Sequence, residues 1–286
     1  TDVPSLLSKP LKDGQAIVKA MRETKRIVQV GTQGRLLPQF VAAKEKYIDT
    51  GVMGKVGLAR TWYTSNTGYI KTPPPGMEKK PDGLDWQRWL GPGPKVPWNP
   101  DIYFSPYKWL HYDGGMIMGI GIHVVDSAHH WLGLKKPKSA VAGGGTYFYK
   151  DGRDTPDVVS FILDYPENVT VTFEAECLSA PGVRTSAGVE LRGTGGTLWA
   201  ERYVQNVGYR YIPNEKFSKE PSFEGPGTGA SAEGVVRNWL ECLRTRQKPV
   251  ASAEEAYYST VACYMAARAF RTQSRVVWDS KWALPT

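Results

Sequence analysis

The stretch VVSFILDYPENVTVTFEAEC (158–177) decides the fold class, because it contains two strand-like runs in succession. Similar runs lie on both sides of it, and glycines at 193, 195 and 196 indicate a tight turn between the last two. The runs cover residues 139–149, 158–164, 169–177, 189–192 and 197–201. Consecutive strands joined by short turns predict a mostly antiparallel sheet.

Segments with helical spacing lie before and after these strands. They cover residues 14–24, 38–50, 232–246 and 253–272. In the third segment we expect five apolar residues to face inward, namely Val235, Val236, Trp239, Leu240 and Leu243. Residues 213–231 are polar and glycine-rich, so we predict a surface loop there.

Further strands are predicted at 1–9, 26–31, 55–65 and 276–278. The first two, with the helix between them, would form a parallel β-α-β unit, with residues 6–10 as a loop. The predicted fold is therefore α/β, close to α+β. It has a large open, mostly antiparallel mixed sheet with helices on one face, preceded by the β-α-β unit.

Two segments interrupt this pattern. Residues 66–107 are rich in proline, glycine and tryptophan, which indicates an ordered excursion packed on the body or over a cleft. The stretch DGGMIMGIGIHVVDSAHHW (113–131) combines glycines at 114, 115, 119 and 121 with His123 and Asp126. Glycine permits backbone angles and close approaches that other residues do not, so we expect a turn that directs His123 into a cleft. A short helix ending at Gly133 should follow.

Composition narrows the function classes. Of 286 residues, 41% are hydrophobic and 22% charged, which is typical of a globular protein. No run approaches the roughly 18 apolar residues of a membrane span, and the N-terminus has no signal-peptide pattern. The formal charge is +8, but lysine and arginine are scattered, so nucleic-acid binding is not predicted. The three cysteines lack metal-ligand spacing; we expect free, buried thiols, which leave the compartment open.

Six motifs, in this order, resemble the glucose–fructose oxidoreductase/inositol dehydrogenase (Gfo/Idh/MocA) family from about residue 5 to the C-terminus. They are Ser8-Lys9-Pro10, VQVGTQGR (28–35), GLDWQRWLGPGP (83–94) with PWNP (97–100), GG…GIHVVD (114–126), GTGGTLW (193–199) and VRNWLECLRTRQKP (236–249). The resemblance implies an N-terminal Rossmann domain that binds NAD or NADP. It also implies a C-terminal mixed sheet that forms the floor of the substrate site.

The resemblance also implies roles for individual residues. Lys9 would contact the nicotinamide and the substrate hydroxyl, and His123 would transfer the proton. We add Asp126 to the catalytic candidates and Gln33 to the cofactor-binding candidates beside Lys9. The candidate substrate-binding residues are Tyr63, Trp98, Trp109, His111 and Arg35, with Trp62 and Trp86 as further rings that could stack on a sugar.

Two features depart from the family pattern. Gly119 stands where the family has Asp or Asn four residues before the histidine. No G-x-G-x-x-G motif follows an opening strand, and no acidic residue follows about twenty positions later. We therefore expect residues 1–31 to be a remnant of a dinucleotide-binding domain and residues 32–286 to be the substrate-binding sheet domain. On this view the chain does not bind NAD or NADP on its own.

The sequence thus predicts a truncated, carbohydrate-active member of this oxidoreductase family, with a sugar or glycoside as substrate. One alternative is a cofactor-independent glycoside hydrolase, which needs two facing groups. Its candidates are His123, Asp126, Asp113, Glu174 and Glu176. The other alternative is a non-catalytic sugar-binding or oligomerisation domain. We expect a homo-oligomer formed through the sheet face, no nucleic-acid or membrane partner, and no metal, although His123, Asp126, His130 and His111 could be considered as ligands.

Overall fold

The computed structural model describes the chain except for residues 1–2, 68–70, 179–185, 230 and 286, and the side chains of residues 3–10 also lie outside the description. In the described residues, nine strands form one sheet. They are β1 (Val56–Thr64), β2 (Ser139–Gly145), β3 (Val158–Asp164), β4 (Thr170–Glu176), β5 (Ala187–Gly193), β6 (Gly196–Glu201), β7 (Val207–Pro213), β8 (Phe223–Pro226) and β9 (Val276–Val277).

The helices lie between and after these strands. They are α1 (Val3–Thr24), α2 (Pro38–Ala43), α3 (Trp86–Trp89), α4 (Pro100–Phe104), α5 (Gly121–Leu132), α6 (Glu233–Thr245) and α7 (Ala253–Thr272). Short turns of 3₁₀-helix cover Gln33–Leu36, Pro106–Lys108 and Ser280–Trp282, and turns of π-helix cover Lys44–Ile48 and Met116–Ile120. None of the described helices is both long and apolar enough to cross a bilayer.

The sheet order is β8-β7-β6-β5-β1-β4-β3-β2-β9. The central pair β1–β4 is parallel, and the other described pairs are antiparallel. This arrangement confirms the predicted large, open and mostly antiparallel sheet. Consecutive strands are neighbours wherever a short turn joins them, whereas β1 enters the middle of the sheet from an earlier part of the chain.

One face of the sheet is buried and the other is open. In β3, Val159, Phe161 and Leu163 are buried, whereas Ser160 and Ile162 are exposed. Helices α5 and α7 pack on the buried face, where Phe161 stacks on its cross-strand partner Phe173 at 4.7 Å between ring centroids. Side chains in a strand alternate between faces, so the period-2 pattern of the sequence determines which face takes the helices.

The excursion forms an aromatic cluster of its own, which confirms that its described part is ordered. Trp86 stacks on Trp89 at 4.8 Å and meets Trp98 edge-on at 4.9 Å. The indole N–H of Trp86 donates to the Val96 carbonyl, and that of Trp98 donates to the Met77 carbonyl, each at 2.9 Å. These rings are held by one another and by backbone carbonyls.

The predicted β-α-β unit is wrong. Residues Val3–Thr24 form one helix, in which Leu11 and Val18 are buried seven residues apart. Helix α1 packs on α7 so closely that a Cβ atom at Gly14 would lie 2.8 Å from the ring of Tyr257. Residues 26–31 contribute a single antiparallel bridge, between Gln29 and Ser252, in place of the expected strand. The burial of apolar residues on one side of α1 favours the helix more than the local β-like sequence pattern favours a strand.

The inward apolar face predicted for α6 is also wrong. Val235 is half-buried, and the other four of its apolar residues are exposed, with Val236 at 51% and Leu240 at 43%. Cys242 is the buried residue of this helix. Helical spacing identifies the apolar face of a helix, but it does not identify what covers that face.

The polar segment 213–231 was predicted as a loop, but it contains strand β8, which pairs with β7 at the edge of the sheet. The aromatic residues that anchor this edge lie in β7, where Tyr211 stacks on Tyr47 at 4.4 Å. The free, buried cysteines were predicted correctly: Cys177, Cys242 and Cys263 are all buried and unpaired with one another.

Candidate active site

The glycine turn before α5 has the predicted left-handed backbone. Gly114 has φ 88° and Gly115 has φ 63°, and a Cβ atom at Gly115 would lie 2.7 Å from Cβ of Thr155. Helix α5 then ends at Gly133, with φ 67°. Because side chains rarely tolerate such angles or contacts, Gly115 fixes where the π-helical turn Met116–Ile120 begins, and Gly133 fixes where α5 ends.

His123 lies in the first turn of α5 and is half-buried. Its Nδ1 atom is buried and has no hydrogen-bond partner among the described residues. Burial, together with the nearby positive charge of Arg202, lowers the pKa of His123 to about 4. The imidazole is therefore neutral at pH 7 and can accept a proton.

Arg202, directly after β6, reaches towards the same helical turn. A Cβ atom at Gly34 would lie 3.0 Å from Nη1 of Arg202 and 3.5 Å from the carbonyl oxygen of His123. Nη2 of Arg202 donates to Oε1 of Gln33 at 3.4 Å, whereas Nη1 is buried and has no partner in the described part of the chain. The structure thus brings His123 and Gln33 close to an arginine that no sequence motif had indicated.

Asp113 supplies a second buried polar group next to the glycine turn. Its Oδ1 atom has no partner among the described residues and occupies the space where a side chain at Gly119 would lie. Burial raises the pKa of Asp113 to about 6, although a hydrogen bond from the Gly115 N–H opposes the shift. Burial and the charge of Asp113 also raise the pKa of Tyr107, which places that ring nearby.

Asp126 and Arg35 bind each other in the core. Nε and Nη2 of Arg35 donate to the two carboxylate oxygens at 2.8 and 2.9 Å, and Oγ of Ser259 donates to Oδ1 at 2.7 Å. Although burial alone would raise it, these hydrogen bonds and the charge of Arg35 hold the pKa of Asp126 below its usual range. Both side chains are buried, so this pair fixes α5 against α7 and the Gln33–Leu36 turn.

The other candidate residues are scattered. Tyr63 is half-buried in β1, and Trp98 belongs to the aromatic cluster of the excursion. Trp109 has a buried indole nitrogen without a described partner, and His111 is exposed. Lys9 lies in α1, but its side chain falls outside the described residues.

Among the described residues, no group of three or more His, Cys, Asp and Glu side chains is placed to hold a metal ion. Two of the carboxylates considered for glycoside hydrolysis lie on the other face of the sheet from His123. Val171, Phe173 and Ala175 of β4 face the helices, so Glu174 and Glu176 point to the open face. Glu174 lies 3.5 Å from Nη2 of Arg60 there. The structure therefore does not pair either glutamate with His123.

The chain is similar to one protein family model and to several solved oxidoreductase structures. Residues 89–199 match the family model of the GFO/IDH/MocA C-terminal domain. No curated protein gave a match to the chain. Two similar solved structures are an oxidoreductase from Agrobacterium radiobacter in complex with NAD+, L-tartaric acid and magnesium, and the aldose-aldose oxidoreductase from Caulobacter crescentus complexed with glycerol.

The two structures share the fold of this chain at low sequence identity. The Agrobacterium protein is 15% identical with a TM-score of 0.66, over 93% of this chain and 69% of its own. The Caulobacter protein is 17% identical with a TM-score of 0.66, over 94% of this chain and 69% of its own. Residues 89–199 therefore resemble the GFO/IDH/MocA C-terminal domain, and most of the chain shares the fold of these oxidoreductase structures.

Proposed function

We propose that this chain forms the substrate-binding part of an oxidoreductase that acts on a hydroxyl group of a sugar or related polyol, with NAD or NADP as the hydride acceptor. The observation that carries the proposal is the buried Nδ1 atom of His123, which lacks a described partner. The backbone of the same residue lies close to Nη1 of Arg202, whose Nη2 atom contacts Gln33. A buried polar atom without a hydrogen bond costs about 1–3 kcal/mol, so a ligand that satisfies it gains affinity.

The chemistry follows from the charge state of His123. When hydride leaves a carbinol carbon, the hydroxyl proton must pass to a base. Neutral His123 can accept this proton. Arg202 nearby then favours release of the proton from the imidazolium, because the two positive charges repel each other. Asp126 and Arg35 do not contact the substrate in this proposal; their ion pair holds in place the helix that contains His123.

A nicotinamide ring supplies the hydride acceptor when bound. Gln33 lies near the site, and Lys9 is the second candidate for contact with this ring. The described residues contain no glycine-rich turn between a strand and a helix of the kind that holds a diphosphate. The described residues therefore suit the substrate side of the reaction but not the nucleotide phosphates.

The comparisons support the substrate class. The Agrobacterium oxidoreductase was solved with a hydroxy acid and the Caulobacter enzyme with a triol, and both share the fold of this chain. The separation of Glu174 and Glu176 from His123 by the sheet makes glycoside hydrolysis the weaker alternative.

The test supplies hydride acceptors with and without a diphosphate. The purified chain is incubated with a polyol and sugar panel and with NAD⁺, NADP⁺ or 1-benzylnicotinamide, and the reduced nicotinamide is followed by absorbance. We expect reduction of at least 1-benzylnicotinamide by the wild type and none by His123→Gln. Reduction by neither protein with any acceptor would overturn the proposal. Nitrophenol release from nitrophenyl glycosides without any nicotinamide would favour the hydrolase instead.

We also propose that two copies of the chain associate through the open face of the sheet. Large apolar side chains are exposed there, with Ile162 at 43% and Ile212 at 44%. An interface through this face would cover these side chains. Light scattering should give twice the mass of one chain, and Ile162→Lys should shift it towards the monomer; a monomeric wild type would contradict this proposal.

A further inference from the structure

We propose that the substrate of this site is a polyhydroxylated acid, and that the guanidinium of Arg202 binds its carboxylate. This inference rests on the proposed function of the His123 site and specifies its substrate class. Arg202 is 4% exposed, and its Nη1 atom has no hydrogen-bond partner among the described residues. Removing a cation from water is costly unless an anion or several hydrogen bonds compensate.

A comparison within the molecule shows what a compensated arginine looks like in this fold. Arg35 is also 4% exposed, but it forms a two-pronged ion pair with Asp126 and donates Nη1 to the Val250 carbonyl at 3.1 Å. In the described residues, the guanidinium of Arg202 has no ion pair. It donates one long hydrogen bond, of 3.4 Å, to the neutral side chain of Gln33 and lies 5.8 Å from the centre of the Tyr203 ring. The two arginines are equally buried, yet only Arg35 has a counter-charge among the described residues.

The position of Arg202 points to a ligand and not to a purely structural role. Its Nη1 atom lies above Gly34, close to the first turn of α5 that holds His123. A side chain at position 34 would collide with Oγ of Ser127 and press on Nη1, so glycine is what allows Arg202 to approach the backbone here. A carboxylate that pairs with the planar guanidinium would bring a neighbouring carbinol towards His123.

A second buried polar atom lies in the segment that contains Gln33. Thr32, which precedes Gln33 and is 2% exposed, has a hydroxyl without a described partner. A neutral polyol could satisfy this hydroxyl, but it would leave the charge of Arg202 uncompensated. The acid is therefore the ligand that satisfies the charge as well as the hydrogen bonds.

The test compares acids with neutral molecules of the same carbon skeleton, in which a hydroxymethyl group replaces each carboxylate. Calorimetry with the wild-type chain at pH 7 uses three matched pairs, D-gluconate with D-glucitol, D-glucuronate with D-glucose, and L-tartrate with L-threitol, and inorganic phosphate as a separate anion. Hydrogen bonds to a charged group are worth more than neutral ones, so at least one acid should bind about tenfold or more tightly than its neutral partner.

Variants then locate the binding site. Arg202→Met should abolish the preference for the acid, Arg202→Lys should retain part of it, and Arg237→Met, at an exposed position on α6, should leave it unchanged. Because the wild-type comparison needs no variant, misfolding of Arg202→Met would not remove the test.

Each outcome has a definite meaning. Equal binding of acid and neutral partner, with loss of both in His123→Gln, would overturn this inference and leave the proposed function intact. Tighter binding of phosphate than of every acid would overturn the assignment of a carboxylate. Failure of all these molecules to bind would overturn the inference and the proposed function together. An acid preference that persists in Arg202→Met would exclude Arg202 as its cause.

Discussion

Asp113→Asn should stabilise the protein at neutral pH, by an amount that depends on pH. Burial raises the pKa of Asp113 from 3.8 to about 6. In the folded state this carboxyl group is harder to ionise than in the unfolded chain, so the group destabilises the fold as pH rises from about 4 to 6. A shift of about 2 units corresponds to about 3 kcal/mol. Asparagine has nearly the same shape but no charge, and therefore removes this cost.

The expected difference in unfolding free energy between variant and wild type is near zero at pH 3. It reaches about half of its final value at pH 5 and about 3 kcal/mol above pH 7. Urea titrations followed by circular dichroism at pH 5 and pH 8 measure it. Asp82→Asn, at an exposed position, removes the same charge and should show no such trend. A difference between Asp113→Asn and wild type that is the same at both pH values, or a loss of stability at pH 8, would refute the reasoning.

Three further predictions concern stability. Acidification from pH 6.5 to 4 should lower the contribution of three buried histidines to the unfolding free energy by up to roughly 8 kcal/mol. Burial lowers the folded-state pKa of His123, His129 and His130 to about 4, so the unfolded chain protonates first; urea titration of Asp113→Asn across this range, in which the opposing effect of Asp113 is absent, checks it. Asp126→Ala should cost about 3–5 kcal/mol in the same assay at pH 7, because it leaves Arg35 charged and buried; a cost below 1 kcal/mol would contradict the buried pair. Gly119→Ala should lower the melting temperature, because its methyl group collides with Asp113, whereas Gly57→Ala, which meets nothing within 4 Å, should not.

Much of the fold followed from local patterns. The strands at 158–164 and 169–177 were predicted because alternating side chains mark a sheet with one buried face, and the structure has them at Val158–Asp164 and Thr170–Glu176. Helix α7 was predicted from its spacing with the bounds that it has, Ala253–Thr272. The left-handed glycines before α5 were identifiable because few other residues tolerate that backbone.

The remaining differences arise from contacts that are distant in sequence. Residues near the N-terminus are helical because Leu11 and Val18 are buried in a core that includes α7, more than 200 positions further along the chain. Arg202 could not be identified from the sequence, because its proposed role rests on the three-dimensional finding that it has no counter-charge among the described residues. The burial of Asp126 against Arg35 depends in the same way on two segments that meet only in the fold. Whether Asp126, Lys9, Gln33 and the aromatic candidates contact a substrate or cofactor stays a prediction.

The central claim is that His123 is a neutral imidazole within a ligand-binding site. Nuclear magnetic resonance of the histidine ring protons, assigned with His123→Gln, tests it between pH 8 and pH 5, without and with D-gluconate. We predict that His123 stays neutral across this range in the free protein, because burial lowers its pKa to about 4, and that its resonance moves when D-gluconate is added. A titration midpoint near 6.5, or a resonance that neither D-gluconate nor D-glucitol moves, would contradict it.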